Sequence, residues 1–218
     1  MLKQDHPVGD KQIQESLKEV KRKLERRTHT RHTALLRVSV LHAGGIRDLC
    51  LVKNISPNGL SARAYRKLAR AEQVQIEFRS GELLSGSVVW ARDWDMGMIF
   101  PQPIDVEAVL ATRWVTESGR RRNLPRIAIC SAGRLKMASR SFDVTLQDIS
   151  QSGARVQAET YAIETGEVLL SLPDLPPIAG VVRWVGGTQV GISFNECVAF
   201  ERLARWIHVH RARALDWD

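Results

Sequence analysis

Cysteines, aromatic residues and long apolar runs are all scarce in this sequence. Its 218 residues include three cysteines, Cys50, Cys130 and Cys197, which lie far apart without the CxxC or Cys/His spacing of a zinc site. Neither a disulfide framework nor a metal centre is therefore expected. We interpret the three cysteines as small apolar residues in strands or at strand ends.

Membrane and export signals are also missing. No apolar run approaches the roughly 18 residues of a membrane-spanning helix. The first residues, MLKQDHPVGDKQ, lack the apolar segment of a signal peptide. We therefore expect a cytoplasmic protein with no membrane span.

Motifs that would indicate catalysis are absent as well. The chain has no GxSxG, HExxH, P-loop or GxGxxG sequence. Its six histidines show no spacing typical of metal ligands. The sequence thus favours a binding protein over an enzyme, with neither a metal nor a cofactor.

The charge of the chain indicates an anionic partner. Lysine and arginine together number 32 against 24 aspartate and glutamate residues, which gives a net charge of +8. A nucleotide, a nucleic acid or an acidic protein surface would each fit this charge.

One pair of short motifs occurs twice, in the same order. In each copy an RxxxR sequence precedes a [D/N]xSxxG sequence. The first copy consists of Arg27, Arg31, Asn54, Ser56 and Gly59, and the second of Arg122, Arg126, Asp148, Ser150 and Gly153. Either motif alone is common in a basic protein, but the matched pair is not.

The repeat extends over most of the chain. Adding 94 to a position in the first half maps Gly86, Trp90, Gly97 and Phe100 onto the same residue types in the second half. One duplicated module is therefore predicted. The arginine pairs are offset by 95 rather than 94, and we expect the extra residue in a loop.

Short alternating runs such as VQIEF and GVVRWV, separated by Gly, Pro, Asn and Ser, predict strands of an antiparallel sheet closed into a small barrel. A helical pattern follows each set of strands, at 104–117 and 198–212. Residues 11–27 place Ile13, Leu17, Val20 and Leu24 on one stripe of an amphipathic helix. This stripe could dock on a barrel, pair with another copy of itself or remain marginal.

We therefore predict a mainly β protein: an N-terminal helix or arm over residues 1–25, a first barrel with its helix over 26–116, and a second over 117–218. Trp90 and Trp184 recur near the end of each barrel. An aromatic ring there could stack on a ligand, but we expect both to be buried.

The repeated motifs resemble those of the PilZ domain family, in which RxxxR and [D/N]xSxxG bind the second messenger cyclic di-GMP. The resemblance covers about residues 26–116 and 120–210 and implies a bacterial tandem PilZ protein, with a six-stranded barrel in each half. The chain contains none of the GGDEF, EAL or HD-GYP signatures of enzymes that make or degrade this messenger.

The resemblance implies two ligand sites, each formed by the five motif residues of one copy, with Arg26 and Arg121 as possible auxiliary residues. Arginine suits such a ligand, because its planar guanidinium binds phosphate oxygens and the O6 and N7 atoms of guanine in bidentate fashion. A carboxylate such as Asp148 can accept from guanine N–H groups. Gly153 would permit a positive φ or a close approach of backbone to ligand. Asn54 carries no charge, so the first site could be degenerate.

Three functions remain open from the sequence. The first is a cyclic di-GMP effector that changes the orientation of its barrels, or its binding to a downstream protein, when ligand is captured. The second is a basic nucleic-acid-binding or transcriptional regulator, although aromatic content is only 6% and no helix-turn-helix is evident. The third is a PilZ-like scaffold that works through protein contacts without ligand.

Overall fold

The computed structural model describes residues 32–79, 81–111, 124–159 and 162–215, which form two β-barrels, each followed by a helix. The first barrel comprises β1 (His32–Ala43), β2 (Ile46–Ser56), β3 (Gly59–Ala64), β4 (Gln73–Glu77), β5 (Leu83–Arg92) and β6 (Asp95–Ile99), followed by α1 (Val106–Ala111). The second comprises β7 (Ile127–Met137), β8 (Arg140–Ser150), β9 (Gly153–Ala158), β10 (Gly166–Ser171), β11 (Ile178–Gly186) and β12 (Gln189–Phe194), followed by α2 (Phe200–Leu215).

Both barrels are closed and have the same topology. The strand order is β1-β2-β3-β6-β5-β4 in the first and β7-β8-β9-β12-β11-β10 in the second. Every neighbouring pair is antiparallel, and β4 and β10 close the barrels by pairing with β1 and β7. The predicted fold is confirmed, and its N-terminal helix lies outside the described residues.

Alternating side chains produce the barrel interiors. In β4, for example, Val74 and Ile76 point inward and are buried, while the glutamines beside them are exposed. Because side chains alternate with period two, each such strand supplies side chains to the interior and leaves a polar outer face.

The cysteines differ in burial. Cys50 of β2 points into the first barrel, and burial, helped by the nearby Asp48 charge, raises the pKa of its thiol. Cys130 also lies in a strand, β7, as expected, and Cys197 follows β12; both are exposed.

The one-residue difference between the copies lies in a strand, not in the loop that we expected. β1 has three unpaired residues between Thr33 and Arg37, whereas β7 has two between Ala128 and Ser131. The extra residue enlarges a β-bulge, where Leu36 is 64% exposed and has a φ of 31°. A bulge absorbs an inserted residue without shifting the pairing on either side of it.

The two helices pack as the sequence indicated, with different bounds. Asp105 caps α1, since its carboxylate accepts from the backbone N–H groups of Glu107 and Ala108 at 3.0 and 3.1 Å. Val106 and Val109 join the interior of the first barrel. The second helix begins at Phe200, two residues later than predicted, and residues 112–117 of the predicted first helix lie outside the described residues.

Helix α2 joins the two barrels in one apolar cluster. Leu203 and Ile207 of α2 are fully buried, and the cluster that contains them includes Val38, Leu49 and Tyr65 from the outer face of the first barrel. The first two strands are consequently buried on both faces, inward by their own barrel and outward by α2 and the second barrel. Association is therefore driven by the removal of apolar surface from water.

Polar contacts reinforce this packing. Arg211 of α2 donates to the Arg47 carbonyl oxygen at 2.5 Å and to the Asp48 carboxylate at 2.8 Å, both in the first barrel. It also donates to the Ala128 carbonyl oxygen of the second barrel at 3.0 Å. The Asp48 carboxylate is only 9% exposed, so Arg211 compensates a charge that has little access to water.

We predict that Arg211→Ala lowers the free energy of unfolding by about 2 kcal/mol, the size of a lost hydrogen bond to a charged group. Asp48 then loses its hydrogen-bonded partner and keeps only Arg66, whose Nη1 lies 3.8 Å from its Oδ2. Urea denaturation measures the change. Arg202→Ala, at an exposed position of the same helix, is the control and should cost much less. Equal losses in the two variants would show that the contacts of Arg211 contribute nothing specific.

Candidate ligand-binding site

A groove of about 780 Å³ runs over the outer face of the second barrel, beside the turn between β8 and β9. Five strands of that barrel line it, and one residue of the first barrel, Arg47, reaches its edge. The groove carries four arginines, Arg47, Arg126, Arg155 and Arg183, and a single carboxylate, Asp148. Its net charge is positive, so it favours an anionic ligand.

Asp148 holds two of these arginines in place. Its Oδ1 accepts from Nη1 of Arg126 at 2.6 Å, and its Oδ2 lies 2.8 Å from Nε of Arg155. The second contact is an ion pair without hydrogen-bond alignment, since the Arg155 Nε has no hydrogen-bond partner in the structure. The Asp148 side chain is 14% exposed, and the side chains of Arg126 and Arg155 are each 41% exposed. Most of their N–H groups therefore remain available to a ligand.

The turn of the [D/N]xSxxG motif is closed by its own serine. Ser150 is buried, and its hydroxyl donates to the Gly153 carbonyl oxygen at 3.2 Å. A Cβ at Gly153 would collide with the Ile192 carbonyl oxygen of β12 and would lie 3.3 Å from Nη2 of Arg126. The glycine is thus required by the close approach of β12. Gly153 is not among the described residues with a positive φ, so the positive φ that we expected as one role for this glycine is wrong.

An exposed tryptophan forms one side of the groove. Trp184 is 44% exposed, and its ring covers Gly191 so closely that a Cβ there would overlap the indole. Trp90 lies over Gly97 in the same way in the first barrel and is 47% exposed. Our prediction that both tryptophans are buried is wrong, because the missing side chains of the glycines let each ring lie flat on the outside of its barrel.

The first copy repeats this backbone with different chemistry. Ser56 donates to the Gly59 carbonyl oxygen at 3.0 Å, as Ser150 does in the second copy. Asn54 accepts from the Ser61 hydroxyl at 2.8 Å, so a neutral pair stands where Asp148 and Arg155 form a charged one. The turn is therefore conserved between the copies while the electrostatics are not.

The structure describes part of the predicted second site. The structure brings Arg126, Asp148 and Ser150 together around the groove, with Gly153 in the turn beside it. The other predicted arginines lie outside the described residues: Arg26, Arg27, Arg31, Arg121 and Arg122.

Sequence reasoning missed three of the four groove arginines. Arg155 and Arg183 could have been found by comparing the copies, since the equivalent positions in the first copy, Ser61 and Val89, are uncharged. Arg47 had no such signal, because it reaches the groove only through the packing of one barrel on the other.

Two negative observations apply to the described residues alone. Within them, no cluster of three or more His, Cys, Asp or Glu side chains could hold a metal ion. No described helix is both long enough and apolar enough to cross a membrane.

The architecture is that of a tandem β-barrel protein with a basic groove at a motif-bearing turn. Comparison with known families identifies it further: the PilZ domain profile matches residues 25–116 and 120–207. These two ranges cover most of the chain, and the chain belongs to the PilZ domain family.

Solved structures that match this chain are distant in sequence. The PlzA protein of Borreliella burgdorferi in complex with c-di-GMP is 14% identical, over 79% of this chain and 86% of that one, with a TM-score of 0.35. The inhibitor of motility MotI/DgrA of Bacillus subtilis is 14% identical, over 83% and 97%, with a TM-score of 0.34. The complex of MrkH from K. pneumonia with c-di-GMP is 11% identical, over 91% of each chain, with a TM-score of 0.31. No curated protein matches the sequence.

We predict that Gly153→Ala destabilises the protein by about 1–3 kcal/mol, the usual cost of overpacking a close contact. Urea denaturation of the full chain measures it. Ser152→Ala, in the same turn, is the control and should change stability little. A Gly153→Ala protein as stable as the control would mean that β12 can move away from the turn at no cost.

Proposed function

We propose that this protein is a cyclic di-GMP-binding effector of the cytoplasm, not an enzyme, and that the groove of the second barrel is its ligand site. The observation that carries the proposal is the convergence of Arg126, Asp148 and Ser150, the motif residues of a PilZ domain, in one basic groove. Cyclic di-GMP has two phosphates and two guanines. A groove with an excess of guanidinium groups and one carboxylate matches both kinds of group.

Each groove residue has a role consistent with its position. Arg126 and Arg155 bind phosphate or the O6 and N7 acceptors of guanine with the N–H groups that Asp148 leaves free. Asp148 uses one lone pair per arginine, so each of its oxygens retains capacity to accept from guanine N–H groups. The exposed ring of Trp184 offers a face on which a base can stack. Arg122, by its place in the motif, is proposed as a further ligand, with Arg121 as an auxiliary one.

The ligand would act on the arrangement of the barrels. Arg47 lies at the groove edge, where its Nη2 pairs with Glu77 of its own barrel at 2.9 Å. A bound phosphate competes with Glu77 for this side chain and so contacts both barrels at once. Ligand then favours the arrangement in which Arg47 reaches the groove, which is a population shift that a downstream protein can recognise.

Nucleic-acid binding and ligand-free protein scaffolding are the competing functions. The net charge of +8 is compatible with binding DNA, but no observation in the described residues singles out a nucleic-acid surface. A DNA titration at two salt concentrations would detect it, because phosphate contacts give a steep salt dependence.

We predict that calorimetric titration with cyclic di-GMP detects binding that Arg126→Ala weakens about 10- to 150-fold, the equivalent of losing hydrogen bonds to a charged group. The control is Arg134→Ala, whose guanidinium is 67% exposed and pairs with Asp143 rather than with groove residues. It should leave affinity unchanged. Absence of binding to the wild-type protein would exclude the proposed function and leave a PilZ-like scaffold.

We also predict opposite outcomes for the two partners of the Arg47–Glu77 pair. Arg47→Ala should reduce the affinity for cyclic di-GMP and abolish any ligand-dependent change in small-angle scattering. Glu77→Gln should not reduce affinity, because it frees Arg47 for the ligand. Identical scattering curves for the wild-type protein with and without saturating ligand would refute the proposed change of barrel arrangement.

A further inference from the structure

Part of the outer face of the first barrel that corresponds to the ligand groove is apolar. At the positions equivalent to Arg183 and Ser193 of the groove, the first barrel has Val89 and Ile99. With Trp90, these residues form what we call the β5–β6 patch. Their exposed fractions are 41% for Val89, 49% for Ile99 and 47% for Trp90.

The patch is continuous across two neighbouring strands. Ile99 of β6 is paired with Ser87 of β5, and Trp90 is paired with Gly97. Ile99 is therefore a near neighbour of Val89 and Trp90 on the outer face, within the reach of large side chains on adjacent strands. On the other side of Ile99 lies Gly59, which adds no side chain. Three adjacent exposed apolar side chains, on a face whose counterpart is a charged groove, make this patch a candidate interaction surface.

We propose that the β5–β6 patch is covered by the chain's own N-terminal segment, residues 11–27, and that the first motif copy is therefore an intramolecular docking face instead of a second nucleotide site. This inference does not depend on ligand binding at the second barrel. Its occupant is identified by the pattern of the segment and by the point at which it enters the barrel.

The segment needs an apolar surface. Its stripe of Ile13, Leu17, Val20 and Leu24 lies on one side of the predicted helix, and the remaining residues are largely charged or amide-bearing. An isolated helix of about this length is marginal in water. Burying four aliphatic side chains on a complementary apolar strip would stabilise it.

The segment also enters the barrel close to the patch. β1 begins at His32, which is paired with Ile55 of β2. Ile55 is paired with Leu60 of β3, and Leu60 is paired with Met98 of β6, the residue next to Ile99. Three strand spacings of about 4.8 Å separate His32 from β6, or about 14 Å. The connection from Arg27, the last residue of the segment, to His32 can extend about 17 Å. The tether is long enough, and it raises the local concentration of the segment above that of any free partner.

The test is hydrogen–deuterium exchange of the peptide covering residues 11–27 in the full-length protein. We expect protection in the wild type, and at least a tenfold faster exchange in Ile99→Asp, since a charge on the patch opposes apolar docking. The control is Leu169→Asp, at a residue of the second barrel that is 36% exposed, which should leave the exchange unchanged. Exchange of β2 peptides checks that the first barrel stays folded.

A second pair of variants lies in the segment itself, where no barrel residue is altered. Leu17→Asp should abolish the protection, and Lys18→Asp, on the other side of the predicted helix, should not. Exchange of residues 11–27 at the rate of an unstructured peptide in the wild type would overturn the proposal. So would protection that Ile99→Asp leaves intact, or protection that grows with protein concentration, which would assign the patch to a second copy.

Calorimetry separates this proposal from the proposed function. One cyclic di-GMP site per chain, weakened by Arg126→Ala and untouched by Asn54→Ala, is expected. A second site that Asn54→Ala removes would uphold the function and overturn the docking face. No binding at all would refute the function, while the exchange experiment would still decide the docking.

Discussion

The burial of β1 and β2 on both faces is the constraint on which the arrangement of this protein depends. Their inner side chains complete the first barrel, and their outer side chains pack against α2 and the second barrel. Removing α2 would therefore expose apolar surface on both barrels at once. Because β2 begins at the interface, Arg47 is held where it can reach the groove of the neighbouring barrel.

Duplication supplied two copies of one backbone, and the copies have since acquired different surfaces. The serine-to-glycine hydrogen bond, the close approach of the turn to the neighbouring strand and the tryptophan over glycine are common to both. These features maintain the fold. The side chains that would meet a ligand differ, with Arg155 and Arg183 in one copy and Ser61 and Val89 in the other. The same turn can thus serve an anionic ligand or an apolar partner.

Much of this was accessible from the sequence. The strand patterns and the repeat predicted two closed barrels, because period-two alternation is a local property. That Arg126 joins Asp148 and Ser150 in one site was implied only by the resemblance of the motifs to those of PilZ domains. The bulge at Leu36 and the exposure of Trp184 were not accessible, since both depend on pairing between strands. Arg47 is the extreme case: its role arises from packing between barrels, about which neither local pattern nor motif carries information.

The indole rings over Gly97 and Gly191 constrain how these barrels can diverge. Each ring occupies the space that a side chain at the glycine would fill, so a substitution at the glycine is compatible only with loss or displacement of the ring. The two positions of each pair should covary across related sequences even where ligand binding has been lost. Retention of the pair is thus a signature of barrel architecture and is independent of the arginines around it.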